Sequence, residues 1–280
     1  MEFINKSNSV AANNIIDAYL NWAKDNNCDE SKLYSSLGQY SLDGLSCKNK
    51  IIKEVLLPEQ SHRCCYCMRR LDAYAGVTLE HIIPQSVSSQ DDLNRYFAKR
   101  INGLNPTQLC LTRDYFSNKS IFPPYPLKVA YYNFAASCCS RNHCNNYRQN
   151  QYIEPLFLIP QINSEVVYNS VTGEGTWPND PINQDINSFE LPTLEKVGLN
   201  NAIVKIYRAL WGYLYRNNIK YDDVLPDDRS CLLYDLLGDI LECDSDVDSN
   251  ILTAIIDLQK DLYWKRACDY DYFLQWFATH

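Results

Sequence analysis

Three cysteines within four positions, Cys64, Cys65 and Cys67, and three more within seven, Cys138, Cys139 and Cys144, constrain this 280-residue chain more than any other feature. A C-x-x-C knuckle followed about 70 residues later by a second thiol cluster is a split that brings four sulfurs around one zinc. Cys64, Cys67, Cys138 and Cys144 form the preferred set, with Cys139 as the alternative to Cys138, or His143 completing a Cys3His set. Such a zinc would be structural, supplying folding free energy to a small module with little core of its own. No apolar run approaches the ~18 residues that span a bilayer. The opening MEFINKSNSV also lacks the basic and apolar regions of a secretory signal. The expected address is the cytoplasm, away from membranes, where clustered thiols bind metal more often than they form disulfides.

The net charge of −8 argues, taken whole, against nucleic acid, because polyanion binding rests on Lys and Arg displacing counterions from phosphates. The charge is unevenly spread. Residues 61–150 carry eleven Lys and Arg against five acids, whereas 221–280 carry fourteen acids against four bases. A phosphate-facing centre with acidic flanks fits that asymmetry.

Apolar spacing predicts helices over 11–26 and 48–60, a short strand over 77–84 ended by Pro84, and a helix over 91–101. A mixed excursion fills 87–128, and a polar stretch with a small hairpin lies between 163 and 192. Helical periodicity returns over 193–217, 230–243 and 249–278. The expected regions are a helical 1–60, a site-bearing 61–160, a connecting hairpin 161–192 and an acidic helical 193–280. The fold class is α+β.

Between the thiol clusters, Glu80 and His81 stand at the end of the predicted strand. A histidine reaching a solvent-filled groove has a pKa near neutral and can take a proton from water attacking phosphorus. Glu80, and Asn145 directly after Cys144, are oxygen donors of the kind Mg2+ uses together with substrate phosphate and water. Neighbouring strand residues point to opposite faces, so Glu80 and His81 share a site only if the strand twists or ends there.

The series CCYC, LEHIIPQS, NFAASC and HCNNYR resembles the HNH endonucleases. The resemblance implies a zinc-stapled ββα-metal core embedded in a mostly helical protein. It implies His81 as general base, Asn133 as the middle asparagine that fixes the hairpin loop, Glu80 and Asn145 as ligands of a catalytic Mg2+ or Mn2+, and Arg148 near the scissile phosphate. Asn145 stands where other members carry histidine, and Asn146 competes for the role. The excursion 87–128 is longer than in minimal HNH modules; its Arg95, Lys99 and Arg100 are either a substrate-binding face or a solvated one.

The similarity extends, through YIEPL (152–156), VVYNSVTGEG (166–175) and TLEKVGLNN (193–201), to the nuclease subunit of Septu-type antiphage systems, which also accompanies some retrons. What this implies is an effector nuclease cutting DNA, or RNA such as a tRNA. It would work with an SMC-like or ABC-like ATPase and, in the retron case, a reverse transcriptase with its RNA–DNA. The aromatic residues Tyr263, Trp264, Tyr272, Phe273, Trp276 and Phe277 are then candidates for docking that ATPase, or else helix core. The alternative is a catalytically silent zinc module that recruits a partner through its helical tail. A live site brings Glu80, His81 and Asn145 together on an open basic cleft; a silent one buries His81.

Overall fold

The computed structural model describes residues 1–98, 104–111, 114–117, 121–180, 192–243 and 249–280. Helix α1 (Ser9–Asp25) turns Ile15, Ile16, Tyr19, Leu20 and Ala23 inward at helical spacing. After the short α2 (Leu33–Ser36), the helical run α3 (47–59) starts where Ser46 accepts a hydrogen bond from the Asn49 amide. It buries Cys47, Ile51, Ile52, Val55 and Leu56.

Two five-residue strands hold the centre. Strand β1 (Val77–His81) runs antiparallel to β2 (Phe134–Cys138), with Val77 opposite Cys138 and His81 opposite Phe134. All five residues of β2 are buried, and its small Ala135, Ala136 and Ser137 let other chain segments approach closely. Gln60 uses that room. Its amide donates to the Ala136 carbonyl at 2.8 Å and accepts from the Ala136 N–H at 2.7 Å, tying the end of α3 to β2. A two-stranded sheet leaves an edge on each side, and here a side chain supplies the missing pairing on one of them.

β1 stops at His81 instead of running to Pro84 because side chains claim the next peptides. Asn133, fully buried, accepts from the Ile83 N–H at 2.6 Å and donates to the carbonyls of Ile83 at 3.0 Å and Leu127 at 2.9 Å. It therefore fixes the bend after His81 and the returning end of the excursion together. Within the excursion α4 (Gln90–Phe97) forms, capped by Ser89; Lys99 and Arg100 lie outside the described residues. The one-turn helix α5 (Asn145–Arg148) follows Cys144 and packs on the β1 face that carries Thr78 and Glu80.

The C-terminal third is helical: α6 (Thr193–Lys196), α7 (Ala202–Arg216), α8 (Arg229–Cys243), α9 (Ser249–Leu258), α10 (Asp261–Ala267) and α11 (Tyr272–Thr279). The expected helix over 249–278 is thus three helices joined by turns. Trp264, Tyr272, Phe273, Trp276 and Phe277 are buried in the common core, so these members of the aromatic series are packing residues and not a docking face. One continuous core runs from Met1 to Phe277 through all four expected regions. Polar contacts cross the same boundaries, with Arg69 Nη2 and Nε both donating to Asp269 Oδ2, at 2.7 and 3.0 Å.

The loop at Ser170 lies directly against Gly212 of α7, where an added Cβ would sit 2.0 Å from the Ser170 carbonyl oxygen. At Gly238 of α8 an added Cβ meets nothing within 4 Å. Alanine normally stabilises a helix interior by about 1 kcal/mol over glycine. Gly238→Ala should therefore raise the unfolding free energy by about that amount, while Gly212→Ala lowers it by roughly 2 kcal/mol through overpacking. Urea denaturation of the two variants should show opposite signs.

Candidate metal centre and catalytic site

Cys64 and Cys67 reach the cluster from a tight turn closed by the Cys64 N–H donating to the Arg69 carbonyl at 2.8 Å, with Met68 at a positive φ of 62°. Cys138 ends β2, and Cys144 sits at φ 64° immediately before α5. The ligand atoms of Cys64, Cys67, Cys138 and Cys144 all lie within 4.8 Å of one another, and all four residues are buried. The Cys64–Cys144 and Cys67–Cys138 sulfur separations are 3.7 and 3.9 Å. Zinc–thiolate bonds of about 2.3 Å in a tetrahedron require sulfurs about 3.8 Å apart. The spacing fits that geometry and is far too long for disulfides. The four cysteines can hold a metal ion such as zinc.

The choice between ligands is made by the fold. Cys139, the next residue along, is exposed. His143 lies against the cluster with Nδ1 3.0 Å from the Cys144 sulfur, but the four sulfurs complete the tetrahedron without it. The Cys138 N–H points at the Cys64 sulfur at 3.3 Å, an orientation that favours a thiolate. Burial works to raise the Cys64 thiol, but the Cys138 and Cys144 thiols outweigh it and hold Cys64 well below its ordinary range. Cys144 is pushed well above its own by burial and by the same partners. A divalent cation lets all four ionise.

At the other end of β1, Glu80 and His81 face apart. Glu80 points toward α5 and is 1% exposed; its Oε1 accepts from the Tyr66 hydroxyl at 2.7 Å and from Arg148 Nη1. Arg148, also 1% exposed, donates further to the carbonyls of His81 at 2.9 Å, Ile82 at 2.8 Å and Gln151 at 3.1 Å. Burial opposes the charged guanidinium, yet Tyr66 and Glu80 keep it protonated. Two expectations are corrected by this arrangement. Arg148 does not present itself to a substrate phosphate; it is a buried bolt between α5 and the end of β1. Glu80 is not a wholly free ligand, because its Oε1 is held by Tyr66 and Arg148 and its carboxylate is the counter-ion of Arg148.

His81 points to the opposite face, beneath Tyr34 of α2 and beside Phe134, with ring centroids 4.5 and 5.1 Å away. It is 8% exposed, so the expected open groove is closed over it. Its Nε2 lies 3.0 Å from the Lys128 carbonyl oxygen, and its Nδ1 lies 3.3 Å from the Gln85 amide nitrogen. A carbonyl oxygen only accepts, so Nε2 carries the proton and Nδ1 keeps its lone pair, an assignment made from the hydrogen-bond network. Burial, with smaller contributions from the cations of Arg148, Lys48 and Lys128, pushes the imidazole pKa down to about 4. The ring is therefore neutral at physiological pH.

Asn145 is half-buried, and its amide nitrogen donates to Thr78 Oγ1 at 3.2 Å. Its Oδ1 has no protein partner among the described residues. Asn146 turns the other way, onto the Cys139 carbonyl at 2.9 Å, which leaves Asn145 as the asparagine facing β1. Asn145 and Glu80 thus share a face that His81 does not. Sequence analysis does not single out Gln60, Tyr66, Gln85 or the Lys128 carbonyl; Tyr66, inside CCYC, and Gln85, inside LEHIIPQS, are the two with a local signal.

No protein-family model matches the chain, and no curated protein or solved structure matches it.

Two outcomes check the site. Cys138→Ser should abolish stoichiometric zinc binding, measured by elemental analysis, whereas Cys139→Ser keeps one zinc per chain. Arg148→Met strands the Glu80 carboxylate and should lower the unfolding free energy by about 3–5 kcal/mol. A stable Arg148→Met protein that merely binds substrate less well would instead restore the phosphate-facing role.

Proposed function

We propose that this chain is an HNH-type endonuclease that hydrolyses phosphodiester bonds of nucleic acid, with a structural Zn2+ on Cys64, Cys67, Cys138 and Cys144. DNA is the first-choice substrate and RNA the second. The observation that carries the reading is the hydrogen-bonding of the His81 ring. The Lys128 carbonyl fixes the proton on Nε2 and holds Nδ1 as a lone-pair base at the end of a hairpin locked by Asn133 and stapled at its far end by four sulfurs.

His81 Nδ1 takes the proton of a water attacking phosphorus in line; the P–O3′ bond breaks, the departing 3′-oxygen takes a proton from solvent and His81 returns its own to solvent, leaving a 5′-phosphate and a 3′-hydroxyl. The Gln85 amide now occupies the lone pair and must yield it to that water. Tyr34 and the 127–128 backbone exclude bulk solvent around the ring. The resemblance implies a catalytic Mg2+ or Mn2+. Asn145 Oδ1 is available to such an ion, but Glu80 is committed to Arg148, so the residues as placed do not form a complete site and no step is routed through the ion. The partner ATPase, the retron association, the antiphage role and the cytoplasmic address belong to this proposal as well.

The closed His81 face and the neutralised Glu80 favour the second reading, a silent zinc module that recruits a partner through its helical tail. Incubation of the zinc-loaded chain, with and without its neighbouring gene product, with plasmid DNA and total RNA in Mg2+ separates the two. Under the nuclease reading cleavage appears, and His81→Ala lowers its rate by about 10²- to 10⁴-fold. Absence of cutting in every arm, or full activity of His81→Ala, overturns it.

The pH dependence follows from the depressed pKa. A base that is neutral above about 4 keeps its activity as pH falls from 8 to 5, and the acid limb of the rate profile should fall near pH 4. Because the folded-state pKa lies below the ordinary 6.5, the neutral ring's stabilising contribution is complete above 6.5 and declines as pH drops toward 4. A kinetic inflection near 6.5 would mean that the active histidine is solvated, or that another group is the base.

A further inference from the structure

A cavity of about 530 Å³ opens where the sulfur-bearing loops meet α7 and α10, at the Val77–Cys138 end of the hairpin, remote from His81. Its volume falls in the range of about 300–1,000 Å³ that holds small ligands. One wall is the loop 72–76, where Ala73, Ala75 and Gly76 leave the space clear. The backbone N–H groups of these three residues donate to no protein group among the described residues. Facing them is Arg266, exposed at the end of α10 and without an acidic partner among the described residues, unlike Arg69 on Asp269 and Arg70 on Asp271. Tyr263, one helical turn earlier, is half-buried on the same wall, and its ring packs on no other ring among the described residues. Beneath it Tyr207 stacks on Tyr270 at 4.4 Å, and Tyr207 donates to the Tyr263 carbonyl at 3.3 Å, which braces that wall.

An unneutralised guanidinium opposite free backbone amides suits a phosphate. A free aromatic face one turn away suits a base. We infer that this cavity binds a nucleotide unit, its phosphate between Arg266 and the 73–76 amides and its base on Tyr263. The inference rests on the nucleic-acid reading above and gives it a second contact point, about four residue steps, or roughly 13 Å, along the hairpin from His81. The same unit arrives either within a single strand or as a free nucleotide. The cavity recognises the shared chemistry.

The test uses the full zinc-loaded chain in a His81→Ala background, so that the probe survives. Anisotropy of fluorescein-labelled 12-nucleotide DNA and RNA is titrated with this protein and with added Arg266→Glu or Tyr263→Leu; AMP and hexaglutamate serve as competitors. Arg266→Glu should weaken oligonucleotide binding at least about 10-fold and reduce the salt slope by about one. Tyr263→Leu should weaken binding by about 5-fold or more. Zinc content and the thermal midpoint should stay unchanged in both. Competition by AMP identifies a free nucleotide as sufficient, and its absence identifies the strand as the source.

No oligonucleotide binding by the parent, equal binding by both variants, or equal competition by hexaglutamate would overturn the inference. Failure of the catalytic reading looks different. In that case the oligonucleotide binds and the variants lose it, while the chain with His81 intact cuts neither DNA nor RNA.

Discussion

Four sulfurs within 4.8 Å of one another decide how the centre of this protein is built. Cys67 and Cys138 are 71 residues apart in sequence, and closing a loop of that length is unfavourable in entropy before any contact forms. Two five-residue strands and a one-turn helix bury too little apolar surface to offset that cost alone. A metal ion held by the two thiol pairs would do so directly, because its binding free energy would be folding free energy. The rest of the site inherits its position from this clamp: β2 ends in one ligand, α5 begins directly after another, and β1 is held between them by register.

Around the clamp, side chains do what a larger sheet would otherwise do. Gln60 pairs with Ala136 as a neighbouring strand would, Asn133 pairs with Ile83 beyond the last strand residue, and Arg148 gathers the carbonyls of His81 and Ile82. Each satisfies backbone groups that a two-stranded sheet leaves open. Glu80 has the companion task of keeping the buried Arg148 neutralised. An acid beside a histidine therefore serves here as an internal counter-ion, and this use competes with metal binding for the same carboxylate charge.

His81 shows how burial alters a catalytic candidate without removing it. Desolvation makes the imidazole a weaker base but keeps it unprotonated, and the Lys128 carbonyl decides which nitrogen holds the lone pair. The two ends of the hairpin are chemically unlike: a closed, neutral histidine at one, an open cavity lined by Arg266 and Tyr263 at the other. On the nuclease reading a strand lying along the hairpin would touch both.

Much was legible in the sequence because it is local. Thiol spacing marked the clamp, period-two and period-3.6 patterns marked β1, α1, α3 and the C-terminal helices, and Asn133 stood out within NFAASC. Which sulfur closes the tetrahedron was not legible, because Cys138 and Cys139 are chain neighbours and only the pairing of β2 with β1, which ends at Cys138, buries the one and leaves the other exposed. Nor could the chain by itself announce that Arg148 turns inward onto Glu80, 68 residues away, or that Tyr34 and Lys128 close over His81. Residue types and their spacing are fixed by covalent order, so sequence determined the metal-binding chemistry and the helix and strand periods. Exposure and charge pairing depend on which distant segments meet, and that only the tertiary structure decided.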